Sequence, residues 1–251
     1  MTLPAAYFAR PITHRGLHDR SKGVIENSMS AFKAAIDAGY GIELDVQQSF
    51  DGQAMVFHDY DMARLTGESG PIQTRTAETI RGMTLSKSHD TIFDLPAVLD
   101  LIDGRVPVLI EVKDQDGAMG PNVGPLERAV ADALDGYRGD AAVMSFNPHS
   151  TRMMSELSPN RPRGLVTDPF RPSNWAPLSP KICRRLRDIP DYGWSTASFI
   201  SHKAADLRRP RVAELKAKGA QILCWTIKSQ AKADKALEIA QNITFEGFIP
   251  A

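Results

Sequence analysis

The sequence predicts an α/β protein, a (β/α)8 TIM barrel with a small insertion after its second strand. Three observations carry this reading. Strand-like segments recur near residues 12, 43, 109, 143, 165, 199, 224 and 247, with helical patterns between most of them. Such alternation implies parallel βαβ units. The 251 residues match the usual size of an eight-stranded barrel. No glycine-rich phosphate loop of either nucleotide type is present, so an open doubly wound sheet lacks its usual signature. No internal repeat or linker divides the chain, and residues 1–251 are expected to form a single domain.

The elements follow in order. Residues 11–14 read as a short strand that stops at Gly16, and 17–26 as a polar loop. Asn27 or Ser28 can cap a helix running to about residue 38, with Ala31, Phe32, Ala35 and Ile36 on its inner stripe. Residues 41–59, GIELDVQQSFDGQAMVFHD, read as a hairpin closed by a two-residue Asp51-Gly52 turn. That register sets Val46 opposite Phe57 and Asp45 opposite His58. Glu43, Asp45 and His58 would then share one face, and Ile42, Leu44, Val46 and Phe57 the other. Residues 60–93, with one weak helix at 77–83, are too long and irregular for a simple connection and read as an insertion or lid. Regular alternation begins at Asp94, which caps a helix to about 103. Strands are expected at 106–112, 141–146, 162–167, 197–201, 221–227 and 245–249. Helices are expected at 125–135, 148–157, 179–187, 210–219 and 228–240.

Composition removes several classes. Hydrophobic residues are 42% and charged residues 24%, which excludes disorder. Lys plus Arg equals Asp plus Glu at 30 each, with no basic bias to suit nucleic acid. No apolar run is long enough for a membrane span, and the N-terminus lacks the pattern of a secretory signal. Two cysteines, Cys183 and Cys224, are too few for a disulfide framework. A cytoplasmic protein without stable membrane insertion is expected.

In a barrel, chemistry sits at the carboxyl ends of the strands. Glu43, Asp45 and Glu111 interrupt otherwise apolar strands there. All-oxygen ligation favours a hard divalent cation, Mg²⁺ or Ca²⁺. A structural pairing of Glu111 with Lys113, or a solvated face for Glu43 and Asp45, is the plainer alternative. Lys113 and Arg15 beside such a cation suit a phosphate. His14 and His58, from different strands, suit paired general acid and base work. Trp225 reads either as packing at the mouth or, with Phe199, as a candidate pocket wall. His18, His89, His149 and His202 read as structural or exposed.

These residues resemble the glycerophosphodiester phosphodiesterases. The likeness is ordered: His14-Arg15-Gly16, Glu26-Asn27-Ser28 before Ala31-Phe32, Ile42-Glu43-Leu44-Asp45-Val46, Asp51-Gly52 and Val56-Phe57-His58-Asp59. Leu65-Thr66-Gly67, Ile110-Glu111-Val112-Lys113, Ser145-Phe146 and Trp225-Thr226 complete it. The resemblance implies a barrel with a small insertion, a metal held by Glu43, Asp45 and Glu111, His14 and His58 as the acid–base pair, and Arg15 and Lys113 on phosphate. It implies cleavage of glycerophosphodiesters to sn-glycerol 3-phosphate and an alcohol, and the lack of an amphipathic basic helix favours the smaller diesters. A lysophospholipase D acting on acylated diesters, with insertion residues such as Met62, Leu65, Ile72, Ile80, Met83 and Leu85 around the chain, is the alternative. A non-catalytic sensor of phosphorylated polyols ranks below both. The chain departs from the family's usual Asp-Gly-Ile-Ile-Thr-Asp ending at Glu246-Gly247-Phe248-Ile249-Pro250-Ala251, and carries Lys228 where many members have Asn.

Overall fold

The computed structural model describes residues 1–251. Eight parallel strands close into a barrel: β1 Ile12–His14, β2 Gly41–Gln48, β4 Val108–Val112, β5 Ala141–Ser145, β6 Arg163–Thr167, β7 Phe199–Lys203, β8 Gln221–Ile227 and β9 Asn242–Phe245. Their order around the barrel is β1-β9-β8-β7-β6-β5-β4-β2, and β2 returns to pair with β1. β3, Ala54–Val56, is the odd strand: it runs antiparallel to the last residues of β2. Major helices follow the strands: α2 Met29–Asp37, α5 Leu95–Ile102, α6 Pro125–Leu134, α7 Pro148–Leu157, α8 Pro180–Arg187, α9 Pro210–Ala217 and α10 Gln230–Leu237. Three shorter helices complete the set, α1 Ala6–Ala9, α3 Ala63–Thr66 and α4 Ala77–Arg81.

Alternation along the strands builds two cores. Ile42, Leu44 and Val46 of β2 point outward and pack with Phe32, Leu99 and Val130 from the surrounding helices. Ile12, Leu109, Met144, Val166, Phe199 and Leu223 point inward and fill the barrel. Tyr7 of α1 plugs the amino-terminal end, where its hydroxyl donates to the Val108 carbonyl at 2.5 Å. Asp94 caps α5 as expected, accepting from Ala97 N at 3.0 Å. Ser28, not Asn27, caps α2, accepting from Ala31 N at 3.2 Å.

Three local expectations are corrected. The hairpin is shifted by one residue: Val46 pairs with Val56 and Gln47 with Met55. A two-residue turn of the expected kind needs positive φ at both central positions, and of Asp51 and Gly52 only Gly52 is positive, at +80°. The turn therefore takes three residues, with Ser49 N donating to Gln53 O at 3.0 Å. A one-residue slip exchanges faces. Phe57 consequently leaves the Val46 face and joins the insertion's own core with Met55, Met62, Leu65 and Ile80. β7 starts and ends two residues later than expected, so its carboxyl end carries His202 and Lys203. The last strand ends at Phe245. The expected stretch 245–249 is mostly the exit loop, with Ile249 65% exposed.

A candidate active site at the carboxyl ends of the strands

β1, β2 and β4 lie side by side, and their registers align His14 with Glu43 and Asp45 with Glu111. Because Glu43 and Asp45 are two apart on β2, both face the barrel axis. Ligand oxygens of Glu43, Asp45 and Glu111 all lie within 4.8 Å of one another, and all three side chains are buried. Lys113 reaches across them, its Nζ 2.7 Å from Asp45 Oδ1 and 2.6 Å from Glu111 Oε1. Arg15 donates from its backbone N to Glu43 Oε2 at 3.0 Å and lays Nε 3.2 Å from Asp45 Oδ2. Asn27 Nδ2 donates to the same Asp45 oxygen at 2.9 Å.

The electrostatics separate these carboxyls. Burial, then the charges of Asp45 and Glu111, push Glu43 well above the usual carboxylate range. Burial works the same way on Asp45, but Lys113, His58 and Arg15 together hold it far below that range. Lys113 is driven up by Asp45 and Glu111 although its burial opposes this. Three carboxylates thus face two cationic side chains, and Glu43 has no cationic side chain within ion-pair distance. Such an excess of buried oxygen ligands fits a hard divalent cation.

The two histidines reach this cluster from different sides. Chain direction at β1 changes sharply: Arg15 is in the left-handed region at φ 58°, and Gly16 follows at φ +81°. A Cβ on Gly16 would lie 2.8 Å from Ala31 Cβ, so only glycine permits this approach. His14 Nδ1 bonds Glu246 just beyond β9, and His58 Nδ1 lies 2.7 Å from Asp59 Oδ1. Each ring is pinned through Nδ1, which leaves Nε2 for other work. Burial lowers His14, and the bond to Glu246 works against that fall. Bonds from His14 and His18 hold Glu246 far below the usual carboxylate range, and Lys228 Nζ adds an ion pair at 2.5 Å. On the other side, Arg64 bridges Asp59 at 2.5 Å and Glu26 at 2.8 Å, and Glu26 bonds Arg15 Nη1 at 2.5 Å.

His14, Arg15, Glu43, His58, Glu111 and Lys113 all line one cavity of about 60 Å³. His58 arrives by a different route from the expected one. Phe57, not His58, bonds Asp45 across the hairpin, at 3.0 Å. β3 has ended at Val56, and the irregular chain beyond it turns His58 to the cavity. Phe146 and Trp225 form an aromatic wall, ring centroids 5.6 Å apart. Phe199 is placed elsewhere: it begins β7 and is fully buried in the barrel interior.

The glycerophosphoryl diester phosphodiesterase family model matches residues 14–242, which hold both histidines, the three clustered carboxylates, Arg15 and Lys113; Thr244 and Glu246 lie just beyond it. The chain belongs to that family. It is therefore a phosphoric diester hydrolase by class. Among its relatives, a glycerophosphodiester phosphodiesterase of Caldanaerobacter subterraneus subsp. tengcongensis is 33% identical over 165 residues, 62% of this chain and 65% of the relative. Bacillus subtilis YhdW is 28% identical over 233 residues, 89% of this chain and 88% of the relative. In fold, this family member is similar to an Oleispira antarctica phosphodiesterase solved with the product sn-glycerol-3-phosphate. That likeness has a TM-score of 0.76 at 21% identity and covers 96% and 94% of the two chains.

Sequence reasoning did not assign Glu246, Asn27, Glu26 or Arg64 to the site. Glu246 stood out only as a departure from the family's ending. Asn27 read as a cap, because Asn at the start of a helix has that use far more often than a bond to a buried carboxylate.

Proposed function

We propose that this phosphodiesterase hydrolyses glycerophosphodiesters to sn-glycerol 3-phosphate and an alcohol, with one divalent cation, Mg²⁺ or Ca²⁺, held by Glu43, Asp45 and Glu111. The observation that carries the reading is the convergence of His14 and His58 on one cavity with Glu43, Glu111, Arg15 and Lys113, where Asp45 completes the carboxylate cluster. A cation bound there would neutralise charge on a non-bridging phosphate oxygen. Arg15 and Lys113 border the same space and offer further positive charge to the phosphate. His14 and His58 divide the proton work through their free Nε2 atoms. One takes a proton from the nucleophile and the other gives one to the departing alkoxide. Two nucleophiles suit this pair: water, or the glycerol hydroxyl beside the ester, whose cyclic phosphate water then opens.

Small diesters suit the site better than lysophospholipids. Met62, Leu65, Ile72, Ile80 and Leu85 of the insertion are buried against one another, with Met83 packed on them. Those side chains serve their own core and line no acyl channel. A binding protein without catalysis would not need two histidines, each fixed by a carboxylate. The chain is read as one functional unit, 1–251, with residues 60–93 as its insertion. No helix is long and apolar enough to cross a membrane. Cys183 and Cys224 are free and buried, which suits a reducing compartment such as the cytoplasm.

The test is release of sn-glycerol 3-phosphate from glycerophosphocholine with Mg²⁺ or Ca²⁺, set against chelator and against lysophosphatidylcholine. Turnover that survives intact in His14→Ala or His58→Ala would sink the assignment.

A further inference from the structure

Two buried hydroxyls on residues that line the catalytic cavity have no hydrogen-bonding partner. Ser201 Oγ on β7 and Thr244 Oγ1 on β9 both belong to residues lining it, beside Met144 and Val166. The residues are 0% and 1% exposed, and neither hydroxyl bonds another protein group. The other buried hydroxyls on the barrel strands are satisfied, and the one further orphan, Ser150 on α7, lies outside the cavity. Thr13 bonds the Gly41 carbonyl at 2.9 Å, Ser145 the Val112 carbonyl at 2.7 Å, and Thr167 the ring of His202 at 2.7 Å. A buried unsatisfied hydroxyl is uncommon and needs a cause. Two of them on one cavity point to a ligand group that both donates and accepts.

Strand registers fix their depth. Thr244 pairs with Ile12, two residues before His14 on the same inward face. Ser201 pairs with Leu223, two residues before Trp225. By these registers Thr244 lies one layer of side chains deeper than His14, and Ser201 one layer deeper than Trp225. Trp225, on β8 between them, is half-buried at the mouth.

We propose that Ser201 and Thr244 hold the terminal hydroxyl of the substrate's glycerol group, one donating to it and the other accepting from it. This rests on the phosphodiesterase reading above and adds an orientation to it. The glycerol end enters first, the phosphate lies among the histidines and carboxylates, and the alcohol faces the open mouth past Trp225. Selection then acts on the glycerol, and the alcohol end meets a tolerant aromatic rim. Ser201 and Thr244 are positioning residues that take no part in proton transfer.

The experiment compares glycerophosphocholine with ethylene glycol phosphocholine. The second keeps the hydroxyl beside the ester and lacks only the terminal hydroxymethyl group. The wild-type protein is expected to prefer glycerophosphocholine by about 10- to 100-fold in kcat/KM, because the shorter substrate leaves both hydroxyls unpaired. Ser201→Ala with Thr244→Val should bring that preference close to unity. The loss should fall mainly in KM for glycerophosphocholine, with the shorter substrate's kcat/KM unchanged within about 2-fold. A second readout needs no turnover: calorimetric affinity for sn-glycerol 3-phosphate against ethylene glycol phosphate, in wild type and variant. An equal loss on both members of either pair, or a preference that survives the substitutions, overturns the proposal. Absent turnover with the affinity pattern intact would count against the hydrolase reading and not against these two residues.

Discussion

His14 Nδ1 and the Glu246 carboxylate bond each other across the seam where β1 meets β9 and the barrel closes. The contact joins residues 232 positions apart, so the geometry of His14 depends on closure of the whole sheet. Removing the carboxylate removes the ring's orientation and an influence that raises its pKa against burial. Glu246→Gln is therefore expected to lower kcat by roughly 10²-fold. The limb of the pH–rate profile that reports His14 should move to lower pH, since burial is then less opposed. Steady-state kinetics across pH would check both. A limb that stays put or moves to higher pH would separate Glu246 from His14.

Lys113 is the internal counter-ion of the acidic cluster, bridging Asp45 and Glu111. Lys113→Met leaves three buried carboxylates with one fewer cation. In chelator the variant should be less stable by about 3 kcal/mol, the usual cost of breaking a buried pair. Saturating Mg²⁺ or Ca²⁺ should recover much of that loss, because an ion that binds only the folded chain stabilises it. Thermal unfolding with and without the metal reads this directly. A variant equally destabilised in both conditions would argue against a cation among Glu43, Asp45 and Glu111.

How much of this was legible follows from range. The barrel could be read because every βαβ unit repeats a local pattern, and inward carboxylates on β2 and β4 break apolar runs visibly. Period-two alternation also placed Glu43 and Asp45 on one face correctly. The hairpin register was missed by one because it depends on the φ of Asp51, whose carboxylate is drawn to Ser49 Oγ at 2.7 Å and Ala77 N at 2.8 Å. Ala77 lies 26 residues away, beyond what a turn motif encodes. Glu246 and Arg64 were missed for the same reason. Each is an ordinary exposed-type residue in sequence, and only closure of the barrel or folding of the insertion brings it to a histidine. Phe199 read as a pocket residue, but β7 begins at it, which sets it at the opposite end of the strand from the mouth and inside the barrel.

Arg64 connects the insertion to both sides of the site. One guanidinium holds Asp59, the partner of His58, and Glu26, the partner of Arg15. Arg64→Ala should lower kcat about 10-fold by loosening His58 while costing only about 1 kcal/mol of stability, since the side chain is partly exposed to solvent. Arg64→Lys should not restore the rate, because an ammonium cannot span two carboxylates with a planar fork. Kinetics of the two variants beside their unfolding curves would decide. Full rescue by lysine would reduce Arg64 to a general positive charge.

Glu26 gives the site an acid limit. Burial would raise its carboxyl, but bonds from Arg64 and the charge and bond of Arg15 bring it down to about 2 from its ordinary 4.5. A depressed folded-state value means that its stabilisation is fully present above about pH 4.5 and is lost as pH falls toward about 2. The stability difference between wild type and Glu26→Gln should therefore be flat from neutral pH down to about 5, at about 1 to 3 kcal/mol. It should then shrink toward zero between about pH 4.5 and 2. Denaturant unfolding of both proteins over that range supplies the measurement. A difference that stays constant through the acid range would show that the carboxylate's charge is not what holds Arg15 and Arg64 in place.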